Sequence, residues 1–211
     1  MPHAILLGDS IFDNGVYVPD GPAVTDHLRA ALSDEWTVSL LAVDGHVTAD
    51  VESQLAGLPY DATHLVVSCG GNDALNYLPL LTESARSVGE ALSNFAKIRL
   101  DFGYKYRRML EKVMETNRHV TICTIYDCVP DLEPMAHSAL SMFNEVILRE
   151  AIAAKVTVID LRLVCTEPLD YSELSPIEPS QIGGAKIAAV IRKALIDASP
   201  PPPSGIVKVH V

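Results

Sequence analysis

What this chain lacks narrows it first. Basic residues are scarce, 16 Lys and Arg against 27 Asp and Glu, for a net charge of −11 over 211 residues. A protein that grips a phosphate backbone needs a basic face, so no nucleic-acid partner is expected. The basic patch that would hold a membrane surface is missing as well. No run of about 18 or more apolar residues occurs, so no segment is expected to span a bilayer. The chain opens Met1-Pro2-His3, without the basic stretch and apolar core of a secretory signal. Cysteine is sparse too. Cys69, Cys123, Cys128 and Cys165 are scattered and form no CxxC pair, which argues against a disulfide framework and for reduced thiols in a cytoplasmic protein. Neither a metal-ligand spacing nor a glycine-rich phosphate loop is present, so no metal and no cofactor are expected.

What remains is an ordinary globular composition, 48% hydrophobic and 20% charged. The length fits a single domain over residues 1–198 followed by a proline-rich tail over 199–211. Short apolar runs at residues 4–7, 37–43, 64–69, 119–126 and 156–160 are rich in Val, Ile, Leu and Thr. Their near-continuous apolarity predicts strands covered on both faces. Helical patterns lie between them. Val24, Leu28, Ala31 and Leu32 share one face. Val88, Leu92 and Phe95, and later Met109, Leu110 and Val113, share another, with Gly103 expected to break that segment in two. Leu140, Phe143, Ile147 and Leu148 follow, and the last face carries Ala185, Ala188, Ala189, Ile191 and Leu195. This βαβα order predicts a central parallel five-stranded sheet with helices on both faces, and ligands outside the carboxyl ends of its strands. In the tail, four consecutive prolines form a stiff spacer. Residues 206–211 then alternate like a strand that would cap a sheet edge or pair with a second copy to give a homo-oligomer; a frayed terminus is the other reading.

Three loops would converge at the carboxyl edge of this sheet: Gly8-Asp9-Ser10, Asp44-Gly45-His46 and Gly70-Gly71-Asn72-Asp73. They bring a hydroxyl nucleophile, a backbone N–H and a side-chain amide, which are the parts of an acyl-transfer site. In this order and spacing they resemble the SGNH (GDSL) hydrolase family, over roughly residues 4–197. The resemblance implies a three-layer α/β/α sandwich of flavodoxin-like type. It also implies Ser10 as nucleophile, with Ser10 N–H, Gly45 N–H and Asn72 Nδ2 as oxyanion donors, and a small-molecule ester as substrate.

The last block of that family is D-x-x-H. Here the matching stretch is Ser175-Pro176-Ile177-Glu178, followed by Pro179 and the Gly183-Gly184 pair. Ser175 stands at the aspartate position and Glu178 at the histidine position. A serine hydroxyl needs an adjacent base. A carboxylate of ordinary pKa is a weak one, and burial would raise Glu178 toward a useful range. Among the seven histidines only His46 follows an oxyanion residue, which makes it the alternative base or a substrate contact. His3, His64 and His119 fall at the wrong ends of their strands, and His137 lies off to one side. Asp9 and Asp73 are expected to tie down their loops, and Asp13 and Asn14 to form a turn. Asp170 and Glu173 are carboxylates near Ser175 at the wrong spacing to orient Glu178. Two functions stay open at this point. One is a serine esterase on small or medium acyl esters, with Ser10 and Glu178 in the catalytic roles. The other is a non-catalytic relative that binds an acyl or carbohydrate ligand.

Overall fold

The computed structural model describes residues 1–196 and 209–210. Six strands, β1 (His3–Gly8), β2 (Thr37–Leu40), β3 (His64–Ser68), β4 (His119–Cys123), β5 (Thr157–Ile159) and β6 (Val209–His210), form one sheet in the order β2-β1-β3-β4-β5-β6. Every pairing in it is parallel. The helices are α1 (Val24–Ala31), α2 (Val51–Leu55), α3 (Gly71–Leu75), α4 (Val88–Glu115), α5 (Pro134–Ala154) and α6 (Gln181–Ile196).

The apolar runs are explained by two-sided burial. Ala4 and Leu6 of β1 pack with Val24 and Leu28 of α1 and Ile187 and Ile191 of α6. The intervening Ile5 and Leu7 pack with Phe102 and Tyr106 of α4 and Phe143 and Ile147 of α5. All four strand residues are fully buried. A strand with helices on both faces has no polar side to show, so its sequence reads as a run and not as an alternation. The result is the expected three-layer α/β/α arrangement.

The sheet has six strands, one more than expected. β5 is short, and its outer edge would present unpaired backbone groups. Val209 and His210 cover it, with registers Val158–Val209 and Ile159–His210, and Asp160 N–H donates to the His210 carbonyl at 3.1 Å. That meets the edge-capping expectation for these two residues. Residues 197–208, which include the proline run, and residue 211 lie outside the described residues. The expected break at Gly103 does not occur either, because α4 runs unbroken for 28 residues. A helical glycine costs about 1 kcal/mol, and burial of the adjacent Phe102 and nearby Tyr106 outweighs it. A Cβ at Gly103 would lie 3.8 Å from Val146 Cγ1, so the bare backbone there simply faces α5. At its start, Ser87 caps α4 by accepting from Glu90 N–H at 3.1 Å.

β2 and β4 stop three residues before the ends of their apolar runs. Leu41 and Ala42 both aim their N–H groups at the Leu6 carbonyl, at 2.9 Å each, which spends the ladder register and turns the chain away after β2. Beyond β4, the side chain of buried Asn144 holds both the N–H and the carbonyl of Ile125 at 2.8 Å, in place of a neighbouring strand. Both departures lie at the carboxyl edge and free the loops that build the site.

Candidate active site

The serine loop is set by a close crossing. Gly8 has φ +123°, and a Cβ there would come within 1.7 Å of the Ser68 carbonyl oxygen, so only glycine lets β1 leave the sheet this way. Gln54 of α2 then clamps the same residue, accepting from Gly8 N–H at 2.8 Å and donating to its carbonyl at 2.7 Å. Asp9 N–H donates to Ser68, and the N–H groups of Phe12 and Asp13 return to the Asp9 carbonyl. Ser10 sits at the head of that turn and is buried.

The second wall comes from the other end of the chain. An antiparallel bridge joins Tyr171 to Pro179, and Ser172 N–H donates to the Glu178 carbonyl at 2.8 Å. Tyr126 hydroxyl donates to the Ile177 carbonyl at 2.6 Å. Asn14, fully buried four residues after the serine, donates to the Pro179 carbonyl at 3.1 Å and accepts from Val24 N–H at 3.0 Å. These ties bring Ser10 Oγ to 2.9 Å from Glu178 Oε1, to which it donates. Glu178 Oε2 is buried with no hydrogen-bond partner among the described residues. Burial pushes the Glu178 carboxyl up to about 7; the Ser10 hydrogen bond works against that, and the negative charge of Asp44 adds to it.

Ser175 does not orient this carboxylate with its side chain. Its carbonyl accepts Glu178 N–H at 3.0 Å, closing a turn, and among the described residues no hydrogen bond links its hydroxyl to Glu178. Asp170 is fully buried and paired with Lys186 at 2.6 Å. His46 also looks elsewhere. Its Nδ1 lies 3.0 Å from Gln54 Nε2, and it makes no hydrogen bond to Ser10. His137 is half-exposed on α5, 3.6 Å from Asp127.

The remaining loops assemble around the serine. Gly45 (φ +80°) is exposed, and neither its N–H nor that of Ser10 makes a hydrogen bond among the described residues. Asn72 Nδ2 donates one hydrogen to the His46 carbonyl at 2.9 Å, which locks the Asp44-Gly45-His46 loop to the start of α3 and leaves the second hydrogen of that amide. Asp73 accepts from both Thr48 N–H and Thr48 Oγ1 at 2.8 Å, a loop tie. Asp9 accepts from Ile11 N–H at 3.2 Å. Burial pushes the Asp9 carboxyl up to about 8, against the pull of that N–H, and the charges of Glu178 and Asp73 raise it further. A cavity of about 110 Å³ opens here, with Asp9, Ser10, Asn72 and Glu178 at its polar end. Its other walls are apolar and include Leu75, Tyr77, Ile98, Ile125, Leu140 and Phe143. Gly45 and His46 do not line it.

Sequence reasoning missed the supports. Gln54, the Asn14 bridge, Tyr126 and the charge of Asp44 carry no local signature, because each acts on a residue far along the chain. The four cysteines are free, as expected, with only Cys128 exposed. Among the described residues no group of His, Cys, Asp and Glu is arranged to hold a metal ion, and no helix is long and apolar enough to cross a membrane.

A parallel α/β/α sandwich with a serine, a glycine N–H and an asparagine amide at one sheet edge is the architecture of an SGNH-type hydrolase. The family model for GDSL-like lipases and acylhydrolases matches residues 6–184, and the chain belongs to that family. No curated protein matches it. Among solved structures, a lipase from a goat rumen metagenome superposes with TM-score 0.72 at 21% identity, over 92% of this chain and 97% of that one. An extracellular lipase from Streptomyces rimosus gives 0.66 at 17% identity, over 92% and 100%. An acetyl xylan esterase variant from Geobacillus stearothermophilus gives 0.65 at 13%, over 98% and 97%. At these identities the likeness is one of fold.

Proposed function

We propose that this protein is a serine esterase for small or medium acyl esters, with Glu178 as the base in place of histidine. The observation that carries this reading is the 2.9 Å hydrogen bond from Ser10 Oγ to Glu178 Oε1 inside a largely apolar cavity. In this scheme the ionised Glu178 takes the hydroxyl proton as Ser10 Oγ attacks the ester carbonyl. The negative charge moves to the carbonyl oxygen, where Ser10 N–H, Gly45 N–H and Asn72 Nδ2 donate to it. Collapse expels the alkoxide, and protonated Glu178 returns the proton to it. Water then attacks the acyl-serine with Glu178 again as base. A base whose pKa lies near 7 suits both directions of transfer at neutral pH.

Hydrolysis of p-nitrophenyl acetate from about pH 4 to about pH 9 tests the scheme, because activity should rise through the Glu178 pKa as the carboxyl ionises. Ser10→Ala should lower kcat by at least about a thousandfold. Glu178→Gln should lower it about a hundred- to ten-thousandfold and remove the rise near 7. An unchanged rate in Ser10→Ala overturns the reading. The second reading, a protein that binds an acyl or carbohydrate ligand without turning it over, is favoured by one observation: Glu178 Oε2 has no orienting partner among the described residues. A wild type silent at every pH, with activity gained in Glu178→His, decides for it.

A further inference from the structure

The space along α4 and α5 does not end with the cavity at Ser10. A groove of about 480 Å³ opens between the amino-terminal halves of these helices, with Leu92, Met135, Ser138 and Met142 on its walls. Phe95 of α4 and Ala139 of α5 line both spaces. One side of that shared wall is a broad aromatic ring and the other is a methyl group.

We propose that Phe95, set against Ala139, ends the acyl pocket and fixes the longest acyl chain the site accepts. This rests on the esterase reading and adds its chain-length selectivity. The polar groups of the inner cavity gather at Ser10 and Glu178, so the reacting carbonyl belongs there and the alkyl chain runs along the apolar walls away from it. Since an apolar cavity of roughly 150 Å³ accepts benzene, 110 Å³ suits a chain of about four or five carbons. A longer chain meets Phe95. Beyond the ring the groove is mostly apolar, with Leu92 and Met135 more than half exposed and Arg99 and Ser138 as its polar members. Removing the ring therefore joins the two spaces into one trough, and each further methylene that leaves water for it adds binding.

The test compares p-nitrophenyl butyrate, octanoate and laurate in wild type, Phe95→Ala, and Phe95→Ala combined with Ser138→Trp. In parallel, butanol, octanol and dodecanol displace 1-anilinonaphthalene-8-sulfonate from the same proteins. Wild type should prefer butyrate. Phe95→Ala should raise the octanoate-to-butyrate ratio of kcat/KM about tenfold or more. Ser138→Trp, at an exposed position on the wall of the outer groove, should reverse that gain. An unchanged ratio in Phe95→Ala overturns the proposal. A wild type that hydrolyses no ester refutes the esterase reading, and the alcohols then decide. Dodecanol gaining at least about tenfold over butanol in Phe95→Ala supports the wall, and an unchanged order overturns it. If Phe95→Ala does not fold, Ala139→Phe, which thickens the wall from the other side, should shift the preference toward acetate over butyrate; no shift counts against the proposal.

Discussion

The two edges of the sheet are made of similar material and behave differently. At the amino edge, His3, His64 and His119 begin three adjacent strands. His3 bonds Asp61 at 3.0 Å and Ser39 at 2.8 Å, and Thr63 lies 2.8 Å from His64. The His64 and His119 rings stack at 4.8 Å with Trp36 alongside. Burial and the neighbouring His119 hold the His64 imidazole down to about 4, so it stays neutral. At the carboxyl edge, a carboxylate oxygen of Glu178 and two backbone N–H groups are left over. A buried polar group without a partner costs about 1–3 kcal/mol. At the carboxyl edge the buried Glu178 Oε2 carries that cost beside a cavity. The three histidines at the amino edge are held by hydrogen bonds and ring stacking, while Glu178 at the carboxyl edge, the base proposed above, holds the Ser10 hydroxyl and keeps one oxygen unpartnered among the described residues.

Three further experiments would break or sharpen that contrast. Asn72→Ala removes a proposed oxyanion donor and should lower kcat about a hundred- to a thousandfold in steady-state ester hydrolysis; a loss in KM alone would move Asn72 out of that role. The next effect concerns stability. The Asp9 carboxyl is raised from 3.8 to about 8 and that of Glu178 from 4.5 to about 7. Between about pH 4 and pH 8 the folded protein therefore holds protons that the unfolded chain has released, and stability should fall as pH rises through that window. Below about pH 4 these two carboxyls are protonated in both states and contribute no further change. Asp9→Asn should flatten this dependence by on the order of a few kcal/mol, read from thermal melts across the window. The smallest effect is at the opposite edge. His64→Gln should lower the melting temperature and change kcat/KM by less than about twofold.

The contrast also marks how far the sequence could be read. Continuous apolar runs located β1, β3, β4 and β5, because two-sided burial removes the polar alternation. The exact ends of β2 and β4 were hidden, since Leu6 and Asn144 decide them through contacts across the fold. Gly103 was misread because its helix-breaking tendency is local, and the packing of Phe102 and Tyr106 is not. At the site, the Gly8-Asp9-Ser10 and Gly70-Gly71-Asn72-Asp73 blocks were visible as short patterns. The meeting of Ser10 with Glu178 was expected only from the family resemblance, which sets Glu178 at the histidine position of the last block. The turn of His46 toward Gln54, and the failure of the Ser175 side chain to reach Glu178, depend on distant residues with no trace in local spacing.

The Asn14 bridge has a consequence for synthesis. Ser10 and Glu178 are 168 positions apart, and Asn14 and Pro179 are 165 apart. Contacts of such long range form late in folding, since a large loop must close before they contribute. A ribosome completes the strands through β5 before the hydroxyl can meet its acceptor, so nascent chains and fragments that end before Glu178 carry the serine without the base proposed for it. Under the proposed esterase reading, the chain would be inert toward esters through most of its translation.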